Sequence, residues 1–596
     1  MTSPAARSLP LPADSTPGRP RPAHRLDDLA VMIGGQGGDG TLTVSDLLGR
    51  YFRKRGLFVY TARNVLSRIR GGHADATVRA SRSPIAAMKA EVDLVVAFDR
   101  EAIQFGRQEL DADGLVLYDS SSFQDEATDA VGFPFASLVG GQVGQPIYKN
   151  TAAYGAISVM MGFDPQQTRA VIEERFQRRG AEALTKNLAA LDIGRNAASA
   201  RPELVGRWAV EDGEAVNQVL VTGNQAVALG FVVGGGRFFA GYPITPATEI
   251  MEYLMRYLPQ FHGVARQAED ELAAINMVLG ASYAGARVMT STSGPGLSLM
   301  TEGIGHAGAA EIPVVVADCQ RVGPSTGEPT RHEQSDLSHL VNLGHGEFPR
   351  FILAPGTIDD CFRLTVEALN LADKWRLPVI LLLDQALSQN SVTSDPFHLD
   401  GVRLDHGKLL SPEEFARLDR YAYYRWTDDG ISPHVPPGTQ GAVAQVTGNE
   451  HNEMGHVSVD PTNRAKMMEK RMGKMTHAVP DLPAPHLYGP DRAPVGLIGY
   501  GSTWGPIREA QSLLDRSGTP SRFFQARTLY PVPVAPLSAF LDSVEVAYVV
   551  EHNFTGQFAR LIRESLPDRH GQLRSILKYD GTSFRAPEIA ARVRGV

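Results

Sequence analysis

The chain has 596 residues, a formal net charge of −8, 43% hydrophobic and 21% charged residues. That length exceeds what one hydrophobic core can organise and predicts about three or four domains of ordinary globular composition, while the acidic balance and scattered basic residues argue against nucleic-acid binding. No apolar run approaches the ~20 residues of a membrane span and no signal-peptide pattern stands at the N-terminus, so a cytoplasmic protein without a membrane partner is expected. Cys319 and Cys361 are the two cysteines, each in or beside an apolar run, as buried small hydrophobes would be. An iron–sulfur cluster takes about four thiolates, so any cluster belongs to another chain.

Residues 1–25 are rich in Pro, Ala, Ser and Arg, cannot bury a core, and predict a disordered tail. A transit peptide would share the arginines and the scarcity of acids, but the prolines spoil an amphipathic helix. An α/β domain is expected over 26–200. It opens with a strand at 29–33, a glycine-rich turn at 34–40 and a helix through Leu42, Leu47, Leu48 and Phe52. Such a turn is either an anion cradle or a plain tight connection. Further strands are expected at 94–98 and 115–118. Ahead of them, Arg68 and Arg70 stand beside the pair Gly71-Gly72. Gly38-Asp39-Gly40 followed by Asn64 imitates the magnesium motif of thiamine enzymes. Asn64 stands alone, however, and magnesium demands a nearly octahedral set of oxygens, so no metal is placed here.

A linker is expected over 201–216 and a second α/β domain over 217–390, with strands at 237–240, 287–292, 313–318, 350–353 and 379–384. Helices are expected at 224–233, after Asp270 and at 358–372. In Tyr242-Pro243-Ile244-Thr245-Pro246 two prolines fix φ and remove donors, giving a rigid turn that presents the Thr245 hydroxyl. Glu269, Asp270 and Glu271 open a helix whose apolar positions are Leu272, Ile275, Val278 and Leu279. Here a carboxylate either caps the helix or stands at the rim of a cleft. Ser293-Gly294-Pro295-Gly296 turns a strand into a helix at the strand end where ligands of parallel sheets bind.

An irregular connecting segment is expected over 391–490, rich in Pro, Gly and His. Its His451 and His456 read as structural or surface residues, since no metal spacing completes them. A last α/β domain over 491–596 carries strands at 495–500 and 546–551, the latter leading into His552-Asn553-Phe554.

The turn at Tyr242, the Glu271 helix, Ser293 to Gly296 and Gly323-Pro324-Ser325-Thr326-Gly327 together resemble the α subunit of 2-oxoacid:ferredoxin oxidoreductases, nearest the 2-oxoglutarate branch. Asp429-Gly430-Ile431-Ser432-Pro433, Thr447-Gly448 with Glu450-His451, and Tyr579-Asp580-Gly581 with Phe584 are similar to later landmarks of that family. Asp39 departs from it, standing where relatives usually have an uncharged residue.

The resemblance implies several open-sheet α/β domains: an N-terminal γ domain (26–200), a thiamine diphosphate-binding fold of the pyrimidine type (217–390) and a transketolase C-terminal-like domain (491–596). It implies Glu271 beside N1′ of the aminopyrimidine, with Tyr242, Pro243, Ile244, Ser293 and Gly294 lining the cofactor. Thr245 and an arginine would receive the substrate carboxylate, Arg331 being the first choice and Arg321 the second, against the alternative of surface ion pairs. Arg68 and Arg70 become candidates for coenzyme A phosphates. A β subunit would bring the diphosphate site, Mg2+ and a [4Fe-4S] cluster into an α2β2 assembly that reduces ferredoxin. The implied reaction is oxidative decarboxylation of 2-oxoglutarate with coenzyme A to succinyl-CoA. Alternatives are the same reaction on pyruvate or a branched-chain oxoacid, or a noncatalytic nucleotide-binding assembly subunit.

Overall fold

A computed structural model of the chain describes residues 24–37, 40–65, 72–125, 127 and 129–595. They divide into two compact units. The smaller comprises 119–125, 132–211 and the described residues before 28. Its helices Lys149–Met160 and Ala181–Ser199 cross with backbones in contact. A Cβ on Gly194 would stand 1.8 Å from the Ala152 carbonyl oxygen, and one on Gly155 2.3 Å from that of Leu191, so glycine is required at both. Trp208–Val210, inside the expected linker, is a strand paired in parallel with His24–Leu26.

The larger unit holds three sheets. In the first, the strands Leu110–Asp119, Val92–Ala97, Asp28–Gln36, His73–Ser81, Phe58–Val65, Val392–Ser394 and Val219–Val221 lie side by side in that order. Gly34 and Gly35 belong to the strand Asp28–Gln36, so the glycine turn begins later than expected. His73–Ser81 and Phe58–Val65 pair antiparallel, although their sequences carry too many polar residues to read as strands. One of these, Arg79, is buried between Asp28 and Glu509, and such paired charges are what permit a polar strand to be internal.

The second sheet has the order Val264–Gln267, Phe238–Gly241, Val288–Thr292, Val314–Gln320, Pro378–Asp384, Phe351–Leu353 and Thr528–Tyr530. All neighbours are parallel except the last pair. The third sheet orders His486–Tyr488, Ser521–Gln525, Ala493–Gly499, Val544–Glu551 and Leu573–Leu577. One hydrophobic core runs through both, joining Ile275, Leu297 and Val316 to Ile498, Phe524 and Val549. Fully buried Gln334 stitches them further, its amide donating to Asp384 (2.8 Å) and to the Tyr500 carbonyl (3.1 Å). Val392–Ser394 and Thr528–Tyr530 each complete a sheet built mostly from another part of the chain.

Within the segment expected to be irregular, Pro461–His477 is a helix. Asp460 caps it by accepting from the Asn463 N–H, and the helix delivers Lys470 and Lys474 onto buried Glu311.

Candidate active site

The Val264–Gln267, Phe238–Gly241, Val288–Thr292 and Val314–Gln320 strands are parallel neighbours. Their C-terminal ends therefore open on one side, where ligands of such sheets bind. The connections leaving those ends carry, respectively, Glu271, the Tyr242–Pro246 turn, Ser293 to Gly296, and Arg321.

Asp270, rather than Glu271, caps the helix Glu271–Tyr283: its carboxylate accepts from the Ala273 N–H at 2.7 Å. The capping role considered for Glu271 thus belongs to its neighbour. Glu271, the first helical residue, is 6% exposed and turns inward. What lets it do so is Gly296. A Cβ there would lie 2.6 Å from Glu271 Oε1 and 2.1 Å from Thr292 Oγ1, so a hydrogen is all that fits. Ser293, three residues earlier, is fully buried, and its hydroxyl has no partner among the described residues. The buried carboxylate beside the glycine cradle and the orphaned hydroxyl of Ser293 at the start of the same helix are groups that fit an aminopyrimidine edge, which offers both donors and acceptors.

The Tyr242 turn is fastened from two sides. Asn224 donates to the Pro246 carbonyl at 2.8 Å and Arg321 to the Thr245 carbonyl at 2.7 Å. Thr245, Pro243 and Ile244 are half-buried and Tyr242 is exposed. Arg321 is 7% exposed, and among the described residues its Nε has no acceptor and no carboxylate lies within 4.0 Å of it. Burial lowers its pKa, partly opposed by the charge of Asp336. A desolvated guanidinium with donors to spare is a receptor for an anion.

The two candidate arginines sit in different surroundings. Arg331 lies at the other end of the loop, its side chain packed against Gly581 in the C-terminal region. Its carbonyl accepts from Val322 and its N–H donates to the Glu328 carbonyl. An antiparallel bridge between Val322 and Glu328 closes the loop. Arg68, Arg70, Gly38 and Asp39 lie outside the described residues.

Three side chains beside these residues are missing from the candidates that the sequence offers: Asn224, Asp318 and Asp336. An acid in the apolar run of Val314–Gln320, near the C-terminal end of a parallel strand, was the available sign for Asp318. Asp318 is fully buried, and burial together with Asp336 holds its carboxyl well above the carboxylate range. Both cysteines are buried. Asn64 donates to Asp75, His451 stacks on Tyr424, and among the described residues no three His, Cys, Asp or Glu side chains form a metal-binding group.

Ser502, His332 and Asp384 form a row with the composition of a hydrolase triad. The Ala386 N–H donates to His332 Nδ1 at 3.4 Å, which leaves the hydrogen on Nε2, facing Ser502 Oγ at 3.3 Å. In the tautomer that this contact favours, His332 donates to the serine rather than accepting its proton.

Residues 30–197 match the family model described as pyruvate ferredoxin/flavodoxin oxidoreductase. Residues 230–470 match that of pyruvate flavodoxin/ferredoxin oxidoreductase, thiamine diphosphate-binding. The α subunit of 2-oxoacid:ferredoxin oxidoreductase 2 from Aeropyrum pernix is 31% identical, over 96% of this chain and 98% of that one. The chain belongs to the 2-oxoacid:ferredoxin oxidoreductase family. Among other members, the 2-oxoglutarate oxidoreductase subunit KorA of Mycobacterium tuberculosis is 31% identical over 96% of this chain and 92% of its own. The 2-oxoglutarate:ferredoxin oxidoreductase of Magnetococcus marinus, solved with 2-oxoglutarate, coenzyme A and succinyl-CoA bound, superposes with a TM-score of 0.88 at 34% identity, covering 96% of this chain and 99% of that one. As a family member the chain is an oxidoreductase subunit of α type, with mixed open α/β sheets and a thiamine diphosphate-binding region. Among the described residues no helix is long and apolar enough to cross a membrane.

Proposed function

We propose that this chain is the α subunit of a 2-oxoglutarate:ferredoxin oxidoreductase, and that Glu271, Thr245 and Arg321 are its share of an active site completed by a β subunit. The observation that carries the reading is Arg321: a buried guanidinium without an ion-pair partner among the described residues, tied to the Thr245 turn at 2.7 Å. The 2-oxoglutarate-bound relative supports the choice of substrate.

In this reading Tyr242, Pro243, Ile244, Ser293 and Gly294 line the aminopyrimidine, and Gly296 leaves room for Glu271 to reach it. Glu271 exchanges a proton at N1′, a task suited to a carboxyl group removed from water. Thiamine diphosphate, when bound, supplies the carbon nucleophile and the electron sink that a 2-oxoacid needs to lose carbon dioxide. Arg321 and the Thr245 hydroxyl hold the oxoacid's C1 carboxylate and so aim its keto carbon. A cluster on the partner would accept the electron pair left by decarboxylation and pass it to ferredoxin, and coenzyme A would take the succinyl group. With two cysteines in its sequence, this chain cannot supply four thiolates. The diphosphate's magnesium is assigned to the same partner, in an α2β2 enzyme.

The family models named for pyruvate favour a second reading, the same chemistry on pyruvate. Carbon dioxide release by the copurified complex, measured with 2-oxoglutarate, pyruvate and a branched-chain oxoacid, separates the two. Preference for 2-oxoglutarate is expected, and preference for pyruvate would sink the substrate assignment.

A further inference from the structure

Asp318 and Asp336 meet near Arg321, and among the described residues neither has a cation within ion-pair distance of 4.0 Å. Asp318 stands near the C-terminal end of Val314–Gln320, in register with Thr292 on one side and Leu382 on the other. No N–H or hydroxyl among the described residues donates to either oxygen of its fully buried carboxyl, nor to Oδ2 of Asp336. What each does contact is the other's carboxyl group. Asp336 is locked in place: its N–H donates to Gln320 Oε1 at 3.1 Å, and a Cβ on Gly294 would lie 2.9 Å from both of its oxygens.

Two carboxylates in contact, Asp318 fully buried and Asp336 half-buried, cannot both stay ionised, because Asp318 has lost its hydration and each repels the other. A proton between them satisfies one oxygen of each. The remaining charge falls to Asp336, which lies against the first residue of the 17-residue helix Gly294–Ala310, at its positive end, and faces Arg321. The other charged group facing the pair is Glu333, which accepts from the Gly323 N–H and the Ser335 hydroxyl.

We propose that Asp318 and Asp336 hold one proton between them and act as a positioning pair for Arg321, taking up a second proton when that guanidinium receives an anionic substrate. The proposal rests on the reading of Arg321 as the carboxylate receptor. While the site is empty, Asp336 is the diffuse counter-charge that lets a buried arginine stay ionised. A substrate carboxylate on Arg321 brings a second negative charge to the same place, and protonation of Asp336 removes the competitor. Binding and protonation are then linked: whatever proton the substrate recruits must also favour the substrate. Burial and the charge of Glu333 push Asp336 up to about 7, where this exchange falls in the working range of an enzyme. The direction is fixed by the sign of the charges. Substrate binds more tightly to the neutral pair, so KM falls as the pH falls.

The test uses the complex copurified with its partner subunit, with 2-oxoglutarate as probe and KM measured from about pH 6 to about pH 8.5, where the limiting slope for one linked proton is roughly tenfold per pH unit. The wild-type KM is expected to rise with pH across that window. Asp336→Asn should keep a low, flat KM, since the amide imitates the protonated acid. Asp318→Asn should keep a high, flat KM, since the amide donates to an Asp336 that stays ionised. A structural role alone would not move the two variants in opposite directions. Infrared difference spectra of the wild-type complex supply a readout independent of turnover and of any variant's folding, since a protonated-carboxyl band should be present at neutral pH. A wild-type KM that is flat with pH while Arg321→Lys raises it, or the absence of that band, overturns the pair but leaves the arginine reading intact. An unchanged KM in Arg321→Lys overturns the arginine reading and the pair with it.

Discussion

The Arg321 guanidinium donates to the carbonyl oxygen of Thr245 at 2.7 Å, joining the ends of two parallel strands separated in the sheet by Val288–Thr292. One contact thus fixes both the rigid turn and the cation that together face the cleft. It also leaves the Thr245 hydroxyl and the other guanidinium donors uncommitted to each other.

Replacing Arg321 by Gln should raise KM for the oxoacid and lower kcat/KM. A hydrogen bond to a charged group is worth about 1.5–3 kcal/mol, roughly ten- to hundredfold. Arg331→Gln, at the far end of the loop against Gly581, should change kcat/KM by less than about threefold. Steady-state kinetics of the two variants side by side check the assignment, and a larger loss at Arg331 would restore the order suggested by sequence.

Gly296→Ala should displace Glu271 and Thr292 without unfolding the protein. The added methyl would stand 2.1 Å from Thr292 Oγ1 and 2.6 Å from Glu271 Oε1. Overpacking of this kind costs about 1–3 kcal/mol, so the melting temperature should fall by a few degrees while turnover falls by well over tenfold. Wild-type turnover would mean that Glu271 needs no fixed position.

Glu311→Gln should be among the most destabilising single changes in the chain. Glu311 is buried between Lys470 and Lys474, with Arg376 nearby, and these cations hold its carboxyl far below the usual range. The same site holds Lys474 down to about 8. Removing the one anion leaves buried positive charges uncompensated, at about 3–5 kcal/mol. Loosening of the Pro461–His477 helix, seen as faster amide exchange there, should accompany a lower melting temperature.

The acid pair also gives a pH-dependent stability with a definite sign. Asp336 has a raised pKa in the folded chain, about 7, so its contribution is full below the ordinary carboxylate pKa and is lost as the pH rises through about 7. The wild-type melting temperature should therefore lose more than that of Asp336→Asn between about pH 6 and pH 8. Parallel pH profiles for the two proteins would contradict the raised pKa.

Much of this could be read in the sequence because apolar runs and glycine turns are local signals. The strands Val314–Gln320 and Pro378–Asp384 and the helix after Asp270 were visible from their residue patterns. Phe58–Val65 and His73–Ser81 were hidden because their buried positions include Arg79, whose charge is balanced by Asp28 and Glu509 far away in sequence, and Asp75, which is held by Asn64 and His73. Cross-links such as Thr528–Tyr530 completing the second sheet are tertiary facts that no local pattern encodes. The site followed the same rule. Glu271 and Thr245 stood in recognisable motifs, but the choice between Arg321 and Arg331 depended on which end of one loop folds back over the Tyr242 turn. Asp336 gained its meaning from the Asp318 carboxyl it meets.

The central claim is that this chain brings the proton-exchanging carboxylate to a cofactor held jointly with a partner. Its most direct test is Glu271→Ala in the assembled complex, with thiamine occupancy, deuterium exchange at the thiazolium C2 and carbon dioxide release from 2-oxoglutarate measured on one preparation. The account predicts an occupied site, C2 exchange slowed by at least about a hundredfold and a matching loss of carbon dioxide release. Full C2 exchange and full turnover in that variant would contradict it.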